Sequence, residues 1–267
     1  MHAGHVRVPR DNCLGKIRSV RTGDGFSLAV QVSGRDDGPV LLLLSGQANS
    51  HGWWTGLREA FEDRFRVVTF DWRGTGGSRG PVEEWTTPWF ADDAAAVLRG
   101  FPTPAAVYGT SMGGRVAQHL AANHPGLVDR LVLACTSPGG EHAHERTPEV
   151  RRRLAAGRAG TLRELFYTDA WDGHSHLFGD PTMSAEESRA HLRASNRHDA
   201  WDVLPLIQVP TLVLHGTDDL MVPSANAPLL TGRIPGAVMH LHEGGRHGFF
   251  DEFAGDVVPV IDDFLLG

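Results

Sequence analysis

Cysteine is nearly absent from this chain of 267 residues, which has only Cys13 and Cys135. The two are far apart and lack metal-ligand spacing, so neither a disulfide framework nor a cysteine zinc site is expected, and the pattern suits a reducing compartment. Positive charge is also short, with 25 Lys and Arg against 32 Asp and Glu for a formal net charge of −7. That balance speaks against a nucleic-acid partner, which calls for a basic face. Long apolar runs are missing too. The longest aliphatic run, Val40–Leu44, is far too short to span a bilayer. The opening MHAGHVRVPRDNC has no apolar core of a secretory signal. No repeat or low-complexity tract is present. These absences lead to the expectation of a cytoplasmic protein, monomeric or homodimeric, with no membrane partner.

The chain is otherwise ordinary for a globular domain, 41% hydrophobic and 21% charged. A chain of this length hides roughly 70–75% of its unfolded surface, enough for a core without staples, and one domain is expected. Ile17–Thr22 and Phe26–Val32 flank Gly23-Asp24-Gly25 and read as a hairpin. Short apolar runs follow at Val40–Leu44, Val67–Phe70, Ala105–Tyr108, Leu131–Ala134, Thr211–His215 and Ala237–Leu241. Runs apolar throughout are strands buried on both faces, as in a parallel sheet covered by helices. Helical patterns lie between them at Trp54–Phe61, Trp89–Phe101, Gly113–Asn123, Ser224–Leu230 and Asp256–Leu266. The expected fold is α/β, a mostly parallel sheet of about eight strands flanked by helices.

From Gly139 to Trp201 no strand-like run occurs, whereas helical patterns recur near Pro148–Ala156, Leu162–Tyr167 and Ser184–Arg197. That is too long for a loop. The segment 139–201 is expected to form a helical cap inserted after the sixth strand, with 1–138 and 202–267 forming the core. Arg151-Arg152-Arg153 within it reads as the solvated side of a helix.

VYGTSMGGRV at 107–116 places Ser111 at a glycine-flanked corner between a strand and a helix. G-x-S-x-G in that setting holds the serine in a strained, exposed turn, with free helix N–H groups behind it for a developing oxyanion. A serine hydroxyl needs a base held by a third group. His247, in EGGRHGFF after the last strand, is the candidate base, and Asp219 or its neighbour Asp218, after the Thr211–His215 strand, is the candidate acid. Loops at the C-terminal ends of parallel strands gather at one edge of a sheet, which would bring Ser111 and these groups together.

Four motifs now carry a resemblance: LLLLSGQ at 41–47, FDWRGTGGS at 70–78, GTSMGG at 109–114, and GTDDLMVP with GGRHGFF at 216–223 and 244–250. In this order they resemble the α/β-hydrolase superfamily in its serine-nucleophile branch, from about Phe26 to Phe264, with an organisation like that of enol-lactonases and small carboxylesterases. The resemblance selects Asp219 over Asp218 and implies an oxyanion hole from the N–H groups of Gln47 and Met112. This chain has Ser45-Gly46 where the family often has His-Gly, which puts the shape of that loop in question.

The implied function is cofactor-free hydrolysis of a small or medium ester, lactone or thioester through an acyl-enzyme on Ser111. A carbon–carbon bond hydrolase, a haloperoxidase-like perhydrolase and a slowly turning ligand receptor share the same fold and triad. Trp53, Trp54, Phe166, Tyr167 and Trp171 are candidates to border the pocket. Arg73 is expected to tie neighbouring loops together through its forked donors. His124 and Asp129 match an acyltransferase spacing but read as a connecting turn. Metal binding is not expected, because His240 and His242 have no accompanying ligand cluster.

Overall fold

The computed structural model describes residues 18–267. Cys13, the N-terminal stretch read for a signal, and Ile17 of the expected first strand lie outside them. Strands β1 (Arg18–Arg21), β2 (Ser27–Gly34), β3 (Val40–Leu44), β4 (Arg66–Phe70), β5 (Ala105–Thr110), β6 (Val128–Ala134), β7 (Thr211–Gly216) and β8 (Val238–His242) form one sheet. Their order is β1-β2-β4-β3-β5-β6-β7-β8. β2 runs antiparallel to β1 and β4, and the pairings from β4 through β8 are parallel. The helices are α1 (Glu59–Glu62), α2 (Thr87–Leu98), α3 (Met112–Asn123), α4 (Pro148–Ala155), α5 (Thr161–Phe166), α6 (Ala185–Asn196), α7 (Asn226–Arg233), α8 (Phe249–Glu252) and α9 (Ala254–Leu266).

Five of the six apolar runs are explained by two cores; the sixth, β8, was expected to be buried on both faces but lies at the edge of the sheet, where Val238, Met239 and Leu241 are exposed. Leu42 and Leu44 of β3 face one core with Phe90 of α2, Val116 and Leu120 of α3 and Leu230 of α7. Leu41 and Leu43 face the other, with Phe61 of α1 and Val257, Ile261 and Leu265 of α9. Alternate residues of a strand point to opposite faces, so a strand covered on both sides must be apolar at every position. Each buried leucine contributes roughly 1.5–3 kcal/mol.

The helix expected over Trp54–Phe61 is instead a 3-10 turn, His51–Trp54, followed by the short α1. Gly56 lies between them at φ 85°, a left-handed conformation that interrupts helical propagation. Helix α8 was not anticipated, because its four residues are too few to show a helical period.

Between β6 and β7 the described chain has helices α4, α5 and α6 and no strand. Its two ends meet, for Gly139 and Asp199 form an isolated antiparallel bridge and the Gly140 N–H donates to the His198 carbonyl at 3.0 Å. A capping box starts α6: Glu187 N–H donates to Ser184 Oγ at 3.2 Å and Ser184 N–H to Glu187 Oε2 at 2.6 Å. Arg73 does tie loops together, holding Asp93 through two 2.7 Å bonds and Asp24 through bonds of 2.7 and 3.0 Å. His124 ends α3 and meets Asp92, not Asp129. No helix among the described residues is long and apolar enough to cross a membrane.

Candidate active site

Ser111 stands between β5 and α3 at φ 53°, ψ −117°, a strained conformation for a residue with a side chain. Close packing enforces the corner. A Cβ on Gly109 would lie 2.5 Å from the Gly113 carbonyl oxygen, and one on Gly113 would lie 2.1 Å from the Leu44 carbonyl oxygen. Only glycine fits at both places. The Ser111 N–H donates to the Ala134 carbonyl at 2.9 Å, and Thr136 Oγ1 donates to the Ser111 carbonyl at 2.8 Å, so the end of β6 and the residues just after it fix the turn from both sides.

His247 comes from the loop between β8 and α8. Its Nε2 lies 3.1 Å from Ser111 Oγ and its Nδ1 lies 2.8 Å from Asp219 Oδ2. The loop is itself held, with the His247 and Gly248 N–H groups donating to the carbonyls of Leu165 and Phe166 at 3.3 and 2.8 Å. Asp219 follows β7, and its Oδ1 accepts from the N–H groups of Met221 and Val222 at 2.8 and 2.9 Å. Burial works to raise the Asp219 pKa, but the neighbouring His247 and His215 outweigh it and hold the carboxyl well below the usual carboxylate range. Asp219 is therefore an anion at neutral pH. Asp218 is exposed and directs its side chain to Thr217.

His215, fully buried on β7, was not singled out by the sequence. Its Nε2 lies 2.8 Å from the Val222 carbonyl and 3.3 Å from Asp219 Oδ2, so it backs the carboxylate from behind. Cys135 sits at the end of β6 with φ 45°, and burial pushes its thiol well up, so it offers no competing nucleophile at neutral pH.

Ser111 and His247 open onto a cavity of about 300 Å³ whose wall includes Gln47, Trp53, Phe166 and Leu177. Met112 is the first residue of α3, so its N–H has no partner within the helix. Gln47 follows Gly46, where a Cβ would lie 2.3 Å from the Trp53 ring. Of the five aromatic residues expected at the pocket, Trp53 and Phe166 line it, and Trp54, Tyr167 and Trp171 do not. Trp54 turns beneath the cavity onto Tyr108, with ring centroids 5.1 Å apart. Tyr167 stacks on Trp171 at 3.6 Å and sends its hydroxyl to Asp251 at 2.6 Å, which draws both rings away from Ser111.

The segment between β6 and β7 also holds the loop after β3. The Ala48 N–H donates to His191 Nδ1 at 3.2 Å, and the Ala48 carbonyl accepts from the Asp180 N–H at 2.7 Å. Asn49 links the same two parts, accepting from the Gly179 N–H at 3.0 Å and donating to the Gln47 carbonyl at 2.9 Å. His191 Nε2 donates to the Arg73 carbonyl at 2.8 Å, which fixes the neutral tautomer with Nδ1 as acceptor. Burial lowers the His191 pKa to about 4.

The strand–serine–helix corner lies within a stretch that matches a known family. Residues 39–188 match the alpha/beta hydrolase fold family. The chain belongs to that family. This α/β-hydrolase is 30% identical over 260 residues to a pimeloyl-(acyl-carrier protein) methyl ester esterase of Aeromonas hydrophila, with 89% of this chain and 100% of the relative covered. It is similar to the crystal structure of an esterase from Rhodococcus sp., at TM-score 0.81 and 26% identity, covering 94% of this chain and 98% of that one. It also shares its fold with an enol-lactonase from Burkholderia xenovorans, at TM-score 0.77 and 23% identity, covering 94% of this chain and 100% of that one.

Proposed function

We propose that the protein is a serine hydrolase that cleaves a small or medium carboxylic ester, lactone or thioester through an acyl-enzyme on Ser111. The observation that carries this reading is the continuous relay from the Asp219 carboxylate through His247 to Ser111 Oγ, at 2.8 and 3.1 Å, on the wall of a largely apolar cavity. His247 Nε2 takes the Ser111 proton as Oγ bonds to the carbonyl carbon, and Asp219 stabilises the imidazolium that results. The N–H groups of Gln47 and Met112 receive the developing oxyanion. The tetrahedral intermediate collapses, the bond to the leaving group breaks, and His247 returns the proton to that group. Water, deprotonated by His247, then attacks the acyl carbon and releases the acid and free Ser111. Residues 139–201 act as a cap that closes the cavity over the small-molecule substrate.

The test is intact-mass labelling with a small phosphonofluoridate, followed by an ester panel on wild type and Ser111→Ala. One adduct on Ser111 and loss of turnover in the variant are expected. No adduct, or equal turnover by Ser111→Ala, would refute the reading. Including a vinylogous diketone and a peracid assay in the panel separates the carbon–carbon hydrolase and perhydrolase alternatives.

A further inference from the structure

The cavity at Ser111 continues past its apolar wall. Arg115, Arg146, Leu154, Leu192 and Ser195 line both this cavity and a larger one of about 820 Å³, so the two spaces meet there. Four arginines line the larger space. Two of them face carboxylates, with Arg151 3.2 Å from Glu145 and Arg197 3.7 Å from Glu84. The two that border both cavities, Arg115 and Arg146, make no ion pair among the described residues.

Arg115 has a plain structural role. Its Nη1 donates to the Ser195 carbonyl at 2.6 Å and to Ser195 Oγ at 3.0 Å, and its Nη2 donates to Ser137 Oγ at 3.1 Å. The Ser195 carbonyl lies in the last turn of α6, where a cation suits the helix dipole. Those acceptors are neutral, so the charge itself stays unpaired, and Nε and one Nη2 hydrogen are left over. Arg146 has no structural role of that kind. Its guanidinium makes no hydrogen bond among the described residues, and it precedes Thr147, the N-cap of α4, where the helix dipole disfavours a cation. Its backbone place is nevertheless fixed, because Asn226 of α7 clamps His144 with two bonds of 2.9 Å.

Burial and the nearby Arg146, opposed by Glu145, together lower the Arg115 pKa to about 10, which still leaves a cation at neutral pH. Burial likewise lowers Arg146, with Glu145 and Asp219 opposing. Glu145 and Asp199 share the larger wall, but neither forms an ion pair with Arg115 or Arg146 among the described residues, so two like charges lack a direct partner until a negative group joins them.

We propose that Arg115 and Arg146 form a subsite for a carboxylate on the substrate, so that the enzyme prefers esters carrying a carboxylate a few bonds from the scissile carbonyl. The inference rests on acyl transfer at Ser111. Arg115 follows Ser111 by four residues at the start of α3, a rise of about 6 Å along the helix, which suits a short methylene spacer. Trp53, Phe166 and Leu177 supply the apolar wall for that spacer. A guanidinium fork matches a planar carboxylate.

The experiment compares kcat/KM within two charged and neutral ester pairs, in wild type and in Arg146→Gln and Arg146→Lys. Monophenyl adipate against the corresponding adipamic acid phenyl ester places the carboxylate on the acyl side. The 4-carboxyphenyl against the 4-carbamoylphenyl ester of hexanoic acid places it on the leaving group. A preference of about ten- to hundredfold for the charged member of one pair is expected. Arg146→Gln should bring that ratio toward unity, and Arg146→Lys should keep part of it. Equal values within both pairs, or a preference untouched by Arg146→Gln, would overturn the subsite. Because the Arg146 side chain makes no internal bond, the variants should melt with the wild type. Ser111 labelling and turnover of the neutral esters report separately on acyl transfer, so its failure is distinguishable from loss of the subsite.

Discussion

Ser111, Asp219 and His247 each owe their position to backbone contacts made by neighbouring residues. The serine turn holds a positive φ because Gly109 and Gly113 allow strand and helix to cross within contact distance. The acid is held by the two N–H groups of Met221 and Val222, and the adjacent Asp218 has neither those contacts nor burial. This difference makes a sharp residue-scale prediction. Asp219→Asn should lower kcat by about three to four orders of magnitude, because an amide neither fixes the productive tautomer nor stabilises the imidazolium. Asp218→Asn should stay close to wild type. Steady-state kinetics on both variants check the assignment, and a larger loss in Asp218→Asn would reverse it.

Among the elements, the loop after β3 and helix α6 depend on each other. The loop after β3 carries Ser45-Gly46 and receives an imidazole from His191, 143 residues distant from Ala48. Ala48 holds φ 58° with both its backbone groups bonded to the segment between β6 and β7. His191→Phe keeps a ring of similar size but leaves the Ala48 N–H and the Arg73 carbonyl unpaired, a loss of about 1–3 kcal/mol. If that loop positions the Gln47 N–H for the oxyanion, kcat should fall roughly tenfold with little change in KM, because the oxyanion forms only in the transition state. Loss of thermal stability with unchanged kcat would reduce His191 to a structural tether.

Three buried histidines link the whole molecule to pH. Burial lowers His119 and His191 to about 4 and His198 well below the free value of 6.5. The unfolded chain therefore binds more protons than the folded one as pH falls from 6.5 toward 4. Their contribution is fully present above 6.5 and is lost on acidification, at up to about 1.4 kcal/mol per pH unit for each group. Urea unfolding across this range should show a falling midpoint, with a shallower fall in His119→Gln. A flat profile would contradict three neutral imidazoles.

The sheet was legible in the sequence because a strand covered on both faces must be apolar at every position, as Val40–Leu44 shows. The serine corner was legible for a related reason, since the glycines that permit it are dictated by backbone contact within a few residues. Side-chain direction in the segment between β6 and β7 was not. Phe166 and Tyr167 are adjacent and both aromatic, yet one lines the cavity and the other turns to Asp251. That choice depends on partners more than eighty residues away along the chain. The same holds for His191 behind the loop after β3, and packing between separate segments also brings Arg115 and Arg146 to one cavity wall. The sequence by itself determined the layers and the serine corner, because local sterics and strand burial constrain them, whereas the choice of Asp219 over Asp218 came from the family resemblance. Only the tertiary structure decided what surrounds the serine, because those contacts come from packing between distant segments and carry no local pattern.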